Sequence, residues 1–218
     1  MKPSQERIAD ILEKLQSAYP DATIALRYKN PLELLVATIL SAQCTDKQVN
    51  KVTKTLFEKY CSVEDYAEAD LLEFEQDIHS TGFFRNKAKN IRAACQRIID
   101  DHDGKVPSTM EELVQLPGIA RKTANVILSD AFGKTEGVVV DTHVGRIAQR
   151  LGLSQERYPE KIERDLMALI PREKWRLLSH LLIRHGRTLC MARNPQCDDC
   201  FLLTDCPEGQ KRTEGTTS

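Results

Sequence analysis

Apolar residues recur at helical spacing along almost the whole chain. Ile8, Ile11, Leu12 and Leu15 open the pattern, then Leu35, Ile39 and Leu40, then Val49, Val52, Leu56 and Phe57. It continues through Ala88, Ile91, Ala94, Cys95 and Ile98, and through Ala124, Ile127, Leu128 and Ala131. Ile162, Leu166 and Leu169, and Leu177, Leu178, Leu181 and Leu182, complete it. Steps of three and four bring such side chains onto one helix face, where they can be buried together. Only Val138-Val139-Val140 has strand character, and it is very short. The pattern predicts an all-α fold class.

Polar punctuation sharpens the boundaries. Asp46 is expected to cap a helix over residues 48–60, and Ser108 with Glu111 three positions on has the form of a capping box. Pro107, Pro117, Pro159 and Pro171 fall between periodic segments, where proline is tolerated. No repeat of solenoid type is visible, and residues 210–218 read as a disordered tail.

The 218 residues, 41% apolar and 29% charged, suffice for one large or two small soluble domains. The first six residues lack a signal-peptide pattern, and the apolar run 32–42 is too short to span a bilayer, so the protein is expected to stay in the compartment where it is made. A net charge of −1 argues against a nucleic-acid partner, but it averages over an asymmetry. An acidic block, Glu64, Asp65, Glu68, Asp70, Glu73, Glu75 and Asp77, precedes Arg85, Lys87, Lys89, Arg92 and Arg97, which have no acid among them. Such a basic run is either a solvated face or a nucleic-acid surface.

The stretch Leu113-Val114-Gln115-Leu116-Pro117-Gly118-Ile119-Ala120-Arg121-Lys122-Thr123-Ala124 reads as helix, tight turn, helix. Glycine allows close approach, and the second helix opens with N–H groups that have no intrahelical acceptor, so the turn can grip a phosphate or simply join two core helices. Lys122 lies in that opening turn. A lysine amine in water is protonated and cannot attack carbon, but the helix dipole, the neighbouring Arg121 and cover by substrate all favour the neutral nucleophile. Asp141, in Val138-Val139-Val140-Asp141-Thr142-His143-Val144, is either an N-cap or a carboxylate that offsets positive charge on a reacting sugar, and the two roles are compatible.

Seven cysteines without an export signal are expected to be thiols or metal ligands. Cys44, Cys61 and Cys95 are scattered. Cys190, Cys197, Cys200 and Cys206 form C-x6-C-x2-C-x5-C, a closed four-thiolate shell whose spacing leaves zinc and iron–sulfur both open. Arg184, His185, Arg187 and Arg193 are expected to place positive charge around it.

Taken together, Leu40-Ser41-Ala42-Gln43-Cys44-Thr45-Asp46, the Leu116 to Ala124 hairpin, Val140-Asp141-Thr142-His143 and the cysteine cluster resemble the endonuclease III family of the helix-hairpin-helix DNA glycosylases. The resemblance covers nearly the whole chain. It implies a six-helix barrel over residues 24–134, a second domain from 1–23 and 135–218 with a [4Fe-4S] cluster on the four cysteines, and damaged double-stranded DNA lying over the cleft between them.

It further implies base excision repair by a bifunctional glycosylase and abasic-site lyase acting on oxidised pyrimidines. Lys122 would be its nucleophile and Asp141 its catalytic carboxylate. Gln43 would fill the space left by a flipped base, and Phe83 falls where the family has a leucine wedge. Gly118, Ala120, Arg121, Thr123, His143, Arg146 and Arg193 would contact DNA. A monomer working on nucleoid DNA in a bacterial cytoplasm, away from membranes, completes the expectation. Ala120, at a usual glycine, and Phe83, at a usual aliphatic, depart from the family pattern. The alternatives are a monofunctional mismatch glycosylase, disfavoured by Lys122, and a noncatalytic DNA-binding module with a structural metal.

Overall fold

The structure, a computed structural model, describes residues 3–214. Its elements are helical, with no strand among the described residues. The chain divides into two compact units, Ile24–Glu136 and Met1–Thr23 with Gly137–Ser218, called here central and terminal. No helix of the described residues is long and apolar enough to cross a membrane.

The central unit contains α2 (Pro31–Ser41), α3 (Asp46–Lys59), α4 (Val63–Glu68), α5 (Leu71–Asp77), α6 (Phe84–His102), α7 (Met110–Leu113) and α8 (Arg121–Ala131). Helix α2 starts well because Asn30 accepts from the Glu33 N–H and Pro31 occupies the first turn. It is buried all round from Leu34 to Leu40, so it forms the axis against which α3, α6 and α8 pack. Leu34, Leu35, Leu40, Tyr66, Phe74, Ile78, Ile91, Ile98, Leu113 and Leu116 are fully buried. Each such aliphatic removed from water contributes about 1.5–3 kcal/mol before its conformational entropy is counted.

The terminal unit contains α1 (Gln5–Ala18), α9 (Thr142–Arg150), α10 (Pro159–Leu169), α11 (Trp175–Thr188) and α12 (Pro207–Glu214). Its core joins Ile8, Ile11 and Leu15 to Val144, Ile147, Leu166, Leu178, Leu181, Leu182 and Leu202. Helices α9 and α11 cross so closely at Gly186 that a Cβ there would come within 2.9 Å of Arg146, His143 and Ile147 side chains.

Several local expectations are corrected. Thr45, not Asp46, caps α3, accepting from the Gln48 N–H. Thr109, not Ser108, caps α7 through the Glu112 N–H, while Ser108 accepts from Lys134 instead. Residues 138–140 form no strand: among the described residues there is none to pair with, and the Val139 N–H donates to Ser179 Oγ. The expected tail is helical as far as Glu214 in α12, and residues 215–218 lie outside the described residues. The basic run on α6 is not one surface. Lys87 is buried, Arg92 donates to the Ala67 carbonyl, and Arg97 pairs with Asp101 and donates to the Gln115 carbonyl. A 3.6-residue period distributes a continuous run around the helix.

Candidate active site and metal centre

In the central unit, α7 and α8 are joined by Val114 to Ala120. Gly118 has φ +81°, and an added Cβ would meet Asn90 of α6 at 3.0 Å, so both conformation and space require glycine. Ala120 caps α8 in an extended conformation, φ −87° and ψ 164°, which alanine adopts freely, so the absent second glycine costs the turn no strain. No side chain caps α8. Its first N–H groups therefore have no side-chain cap at the positive end of the helix dipole, as an anion-binding terminus requires. Arg121 and Lys122 in this turn are exposed, and Thr123 is half-buried. Arg97 steadies the hairpin from α6 by donating to the Gln115 carbonyl at 2.9 Å.

Gln43 and Phe83 belong to the same unit. Both are exposed, and both are non-glycine residues at positive φ, 53° and 48°. Gln43 follows the C-terminus of α2. Phe83 follows Gly82 at the entry to α6 and leaves 65% of its surface in solvent. Left-handed backbone costs about 1 kcal/mol or more for an L-residue, so two exposed side chains held this way are candidates for contact with a partner.

In the terminal unit, Asp141 is the N-cap of α9, its Oδ1 accepting from the His143 and Val144 N–H groups at 2.8 Å each. One carboxylate oxygen is therefore engaged in capping. His143 is half-buried and lies 3.1 Å from the Arg146 guanidinium. Arg146 also donates to the Thr142, Gly186 and Cys190 carbonyls, so it sutures α9 to the cysteine segment. Arg193 is exposed beside Asn194, which has φ +50°.

All four C-terminal cysteines line one pocket, walled by Ile147, Leu151, Leu202 and Arg150. Donors approach the sulfurs: Arg150 Nη1 lies 3.2 Å from Cys190 Sγ, and the Gly209 N–H lies 3.2 Å from Cys206 Sγ. Burial pushes the thiols of Cys197, Cys200 and Cys206 up, and the neighbouring sulfurs add to the effect. Four thiolates gathered this way need a cationic centre, which an iron–sulfur cluster supplies. Among the described residues no three His, Cys, Asp or Glu side chains have the geometry of a single-ion site; the sulfurs ring the pocket instead.

His185 does not contribute the expected charge. It is buried between Tyr19, 3.2 Å from Nδ1, and Cys200, 3.7 Å from Nε2, and burial lowers its pKa to about 4.

Reading along the sequence missed Lys87, Asn90 and Arg150 as supports of these sites. The first had a visible signal, since position 87 falls in register with the apolar stripe Ala88, Ile91, Ala94, Cys95 and Ile98.

Residues 36–172 match the family described as HhH-GPD superfamily base excision DNA repair protein, and residues 190–206 match the iron-sulfur binding domain of endonuclease III. The latter segment holds a [4Fe-4S] cluster. The chain is 55% identical to endonuclease III of Synechocystis sp. over 96% of each chain, and 49% identical to that of Bacillus subtilis over 95% and 94%. Among solved structures it is similar to a non-covalent endonuclease III–DNA complex and to a trapped endonuclease III–DNA covalent intermediate. Each shows a TM-score of 0.91 and 47% identity, covering 97% of this chain and 99% of the other. The chain belongs to the endonuclease III family of the HhH-GPD superfamily of base excision DNA repair proteins.

Proposed function

We propose that the protein is a bifunctional DNA glycosylase and abasic-site lyase of base excision repair. It removes oxidised pyrimidines from damaged duplex DNA and cuts the strand 3′ to the resulting site. It works as a monomer on the nucleoid DNA of a bacterial cytoplasm. The observation that carries this reading is Lys122, exposed in the uncapped opening turn of α8 directly after the Gly118 turn. A relative trapped covalently on DNA supports a nucleophilic mechanism.

The N–H groups of the α8 terminus bind a backbone phosphate, with Arg121 and Thr123 beside it and His143 and Arg193 offering further polar contacts. Gln43 and Phe83 enter the stack, and the damaged nucleotide is extruded. The nucleophile is the Lys122 amine. Its lone pair bonds to C1′ while the C1′–N bond breaks, its electron pair leaving with the base, which takes up a proton. Asp141 offsets the cationic charge on the sugar. The amine sheds a proton and the ring opens, leaving an imine between Nζ and C1′. Loss of a C2′ proton then forms the C2′–C3′ double bond and expels the 3′ phosphate. Water hydrolyses the imine and frees Lys122.

Cys190, Cys197, Cys200 and Cys206 hold the [4Fe-4S] cluster. When bound it crosslinks this loop-rich segment, and with all four thiolates engaged it leaves no position for substrate.

Purified protein is incubated with a duplex bearing one thymine glycol, with and without borohydride. Reduction should give a protein–DNA adduct that Lys122→Gln abolishes; undiminished trapping in that variant removes Lys122 from the nucleophile role. Asp141→Asn keeps an oxygen to cap α9 while losing the charge. It should bind the lesion duplex but react about 100-fold more slowly in single turnover, and a near-normal rate would defeat the assignment.

A further inference from the structure

Lys87 is 4% exposed, on a helix face otherwise made of Ala88, Ile91, Ala94 and Ile98. Its Nζ donates to the Leu40 carbonyl and to the Thr81 carbonyl, 2.8 Å each. Among the described residues no carboxylate pairs with it, and burial holds its ammonium below the usual lysine range. An interior cation without a counterion costs several kcal/mol unless its donors are well placed. Here they are: Leu40 lies in the last turn of α2, where unpaired carbonyls and the negative end of the helix dipole gather.

The positions of the two acceptors matter more than the burial. Leu40 lies three residues before Gln43, and Thr81 lies two before Phe83. One ammonium therefore holds the bases of two loops that each carry an exposed side chain at positive φ, Gln43 and Phe83. A second link, Gln48 Nε2 to Ser80 Oγ at 2.7 Å, ties the first turn of α3, just after the Gln43 loop, to the residue before Thr81, nearer the surface.

We infer that Lys87 is a positioning residue that locks the Gln43 and Phe83 loops into one two-pronged element, fixing their separation so that both side chains enter the same duplex step. The inference rests on the proposal that Gln43 and Phe83 enter the stack. An apolar residue at position 87 would fill the core equally well but could not span two backbones. A fixed spacing is what extrusion needs, because misplacing a group by about 1 Å can cost about 100-fold in rate.

The test uses cluster-loaded full-length protein at a temperature well below unfolding. Lys87→Met keeps volume and removes the donors; Gln48→Ala removes the outer link at little risk to folding. Each is measured for excision from a lesion duplex, for fluorescence of 2-aminopurine placed beside the lesion, and for cleavage of a preformed abasic site in single-stranded DNA. Lys87→Met should slow duplex excision about 10- to 100-fold and suppress the 2-aminopurine signal. Its single-stranded cleavage should remain as in the parent. Gln48→Ala should shift the same two duplex readouts in the same direction by less. Lys87→Met added to Gln43→Ala and Phe83→Ala should slow excision no further, because the element it aligns is already gone.

Equal losses on both substrates, or a fully additive loss in the triple variant, would overturn the positioning role. If Lys87→Met does not fold, Gln48→Ala decides, and unchanged duplex readouts there overturn it. Should Gln43→Ala and Phe83→Ala themselves leave duplex excision intact, the entry of these side chains into DNA fails. If they impair excision while Lys87→Met and Gln48→Ala do not, only the positioning inference fails.

Discussion

In the central unit, exposed Gln43, Phe83 and Lys122 stand on a frame of regular helices around an apolar core, with one buried ammonium bridging two loops. In the terminal unit, the four cysteines stand on a segment with little regular structure, held by guanidinium groups. Arg146 donates to the Cys190 carbonyl, and Arg150 donates to Cys190 Sγ and to the Met191 and Ala192 carbonyls. The first arrangement is complete from the chain's own packing and hydrogen bonds. The second gathers four cysteines around one pocket, where burial pushes the thiols of Cys197, Cys200 and Cys206 up, so it is incomplete without the cationic cluster. A reactive side chain that must meet DNA gains from a rigid frame, whereas a metal segment can leave its rigidity to the metal.

The largest effect that would break this contrast is removal of iron. Oxidation and chelation should abolish amide-exchange protection across residues 190–206, while α6 in the central unit keeps its slow exchange. Hydrogen exchange read by mass spectrometry on holo and iron-free protein checks this. Comparable loss of protection in α6 would show that the helical frame also depends on the cluster.

Next in size is Gly118→Ala. The new Cβ would press on Asn90 at 3.0 Å, and the backbone would remain at φ +81°. The two together should cost about 2 kcal/mol in urea unfolding and weaken affinity for duplex DNA. Ala120→Gly is the control, because its backbone is already ordinary; stability should stay within about 0.5 kcal/mol. If the two substitutions behave alike, the hairpin is not the rigid element described.

The same contrast explains how much was legible in the sequence. Periodic apolar positions located most of the helices, because a stripe such as Ala124, Ile127 and Leu128 has few other ways to be buried. The cysteine spacing announced a metal segment, because four ligands close in sequence are close in space. Caps slipped by one residue at Thr45 and Thr109, since Thr-Asp and Ser-Thr pairs each offer two competent oxygens and only backbone geometry selects one.

Long-range polar contacts were the least legible. Lys87 belongs to a run that reads as either a solvated face or a nucleic-acid surface, yet its acceptors are the backbone carbonyls of residues 40 and 81, and carbonyls carry no sequence signal. The register of Lys87 with its apolar stripe was the available clue.

The smallest effect concerns a cap in the central unit. The Asp65 carboxylate accepts from the Cys61 and Ser62 N–H groups at 2.8 and 2.9 Å, and these bonds hold its pKa below the usual carboxylate value. In the unfolded chain it titrates near ~3.9, so in the interval below that value the folded state binds fewer protons. Its contribution is therefore fully present above the ordinary aspartate range and is lost as pH falls through the folded value. Because the group is exposed and screened, Asp65→Asn should cost at most about 1 kcal/mol at neutral pH. The difference from the parent should shrink toward zero in strong acid, as measured by thermal unfolding at several pH values. A difference independent of pH would mean that the cap acts through its shape rather than its charge, and would make α4 (Val63–Glu68) as indifferent to electrostatics as the apolar core beneath it.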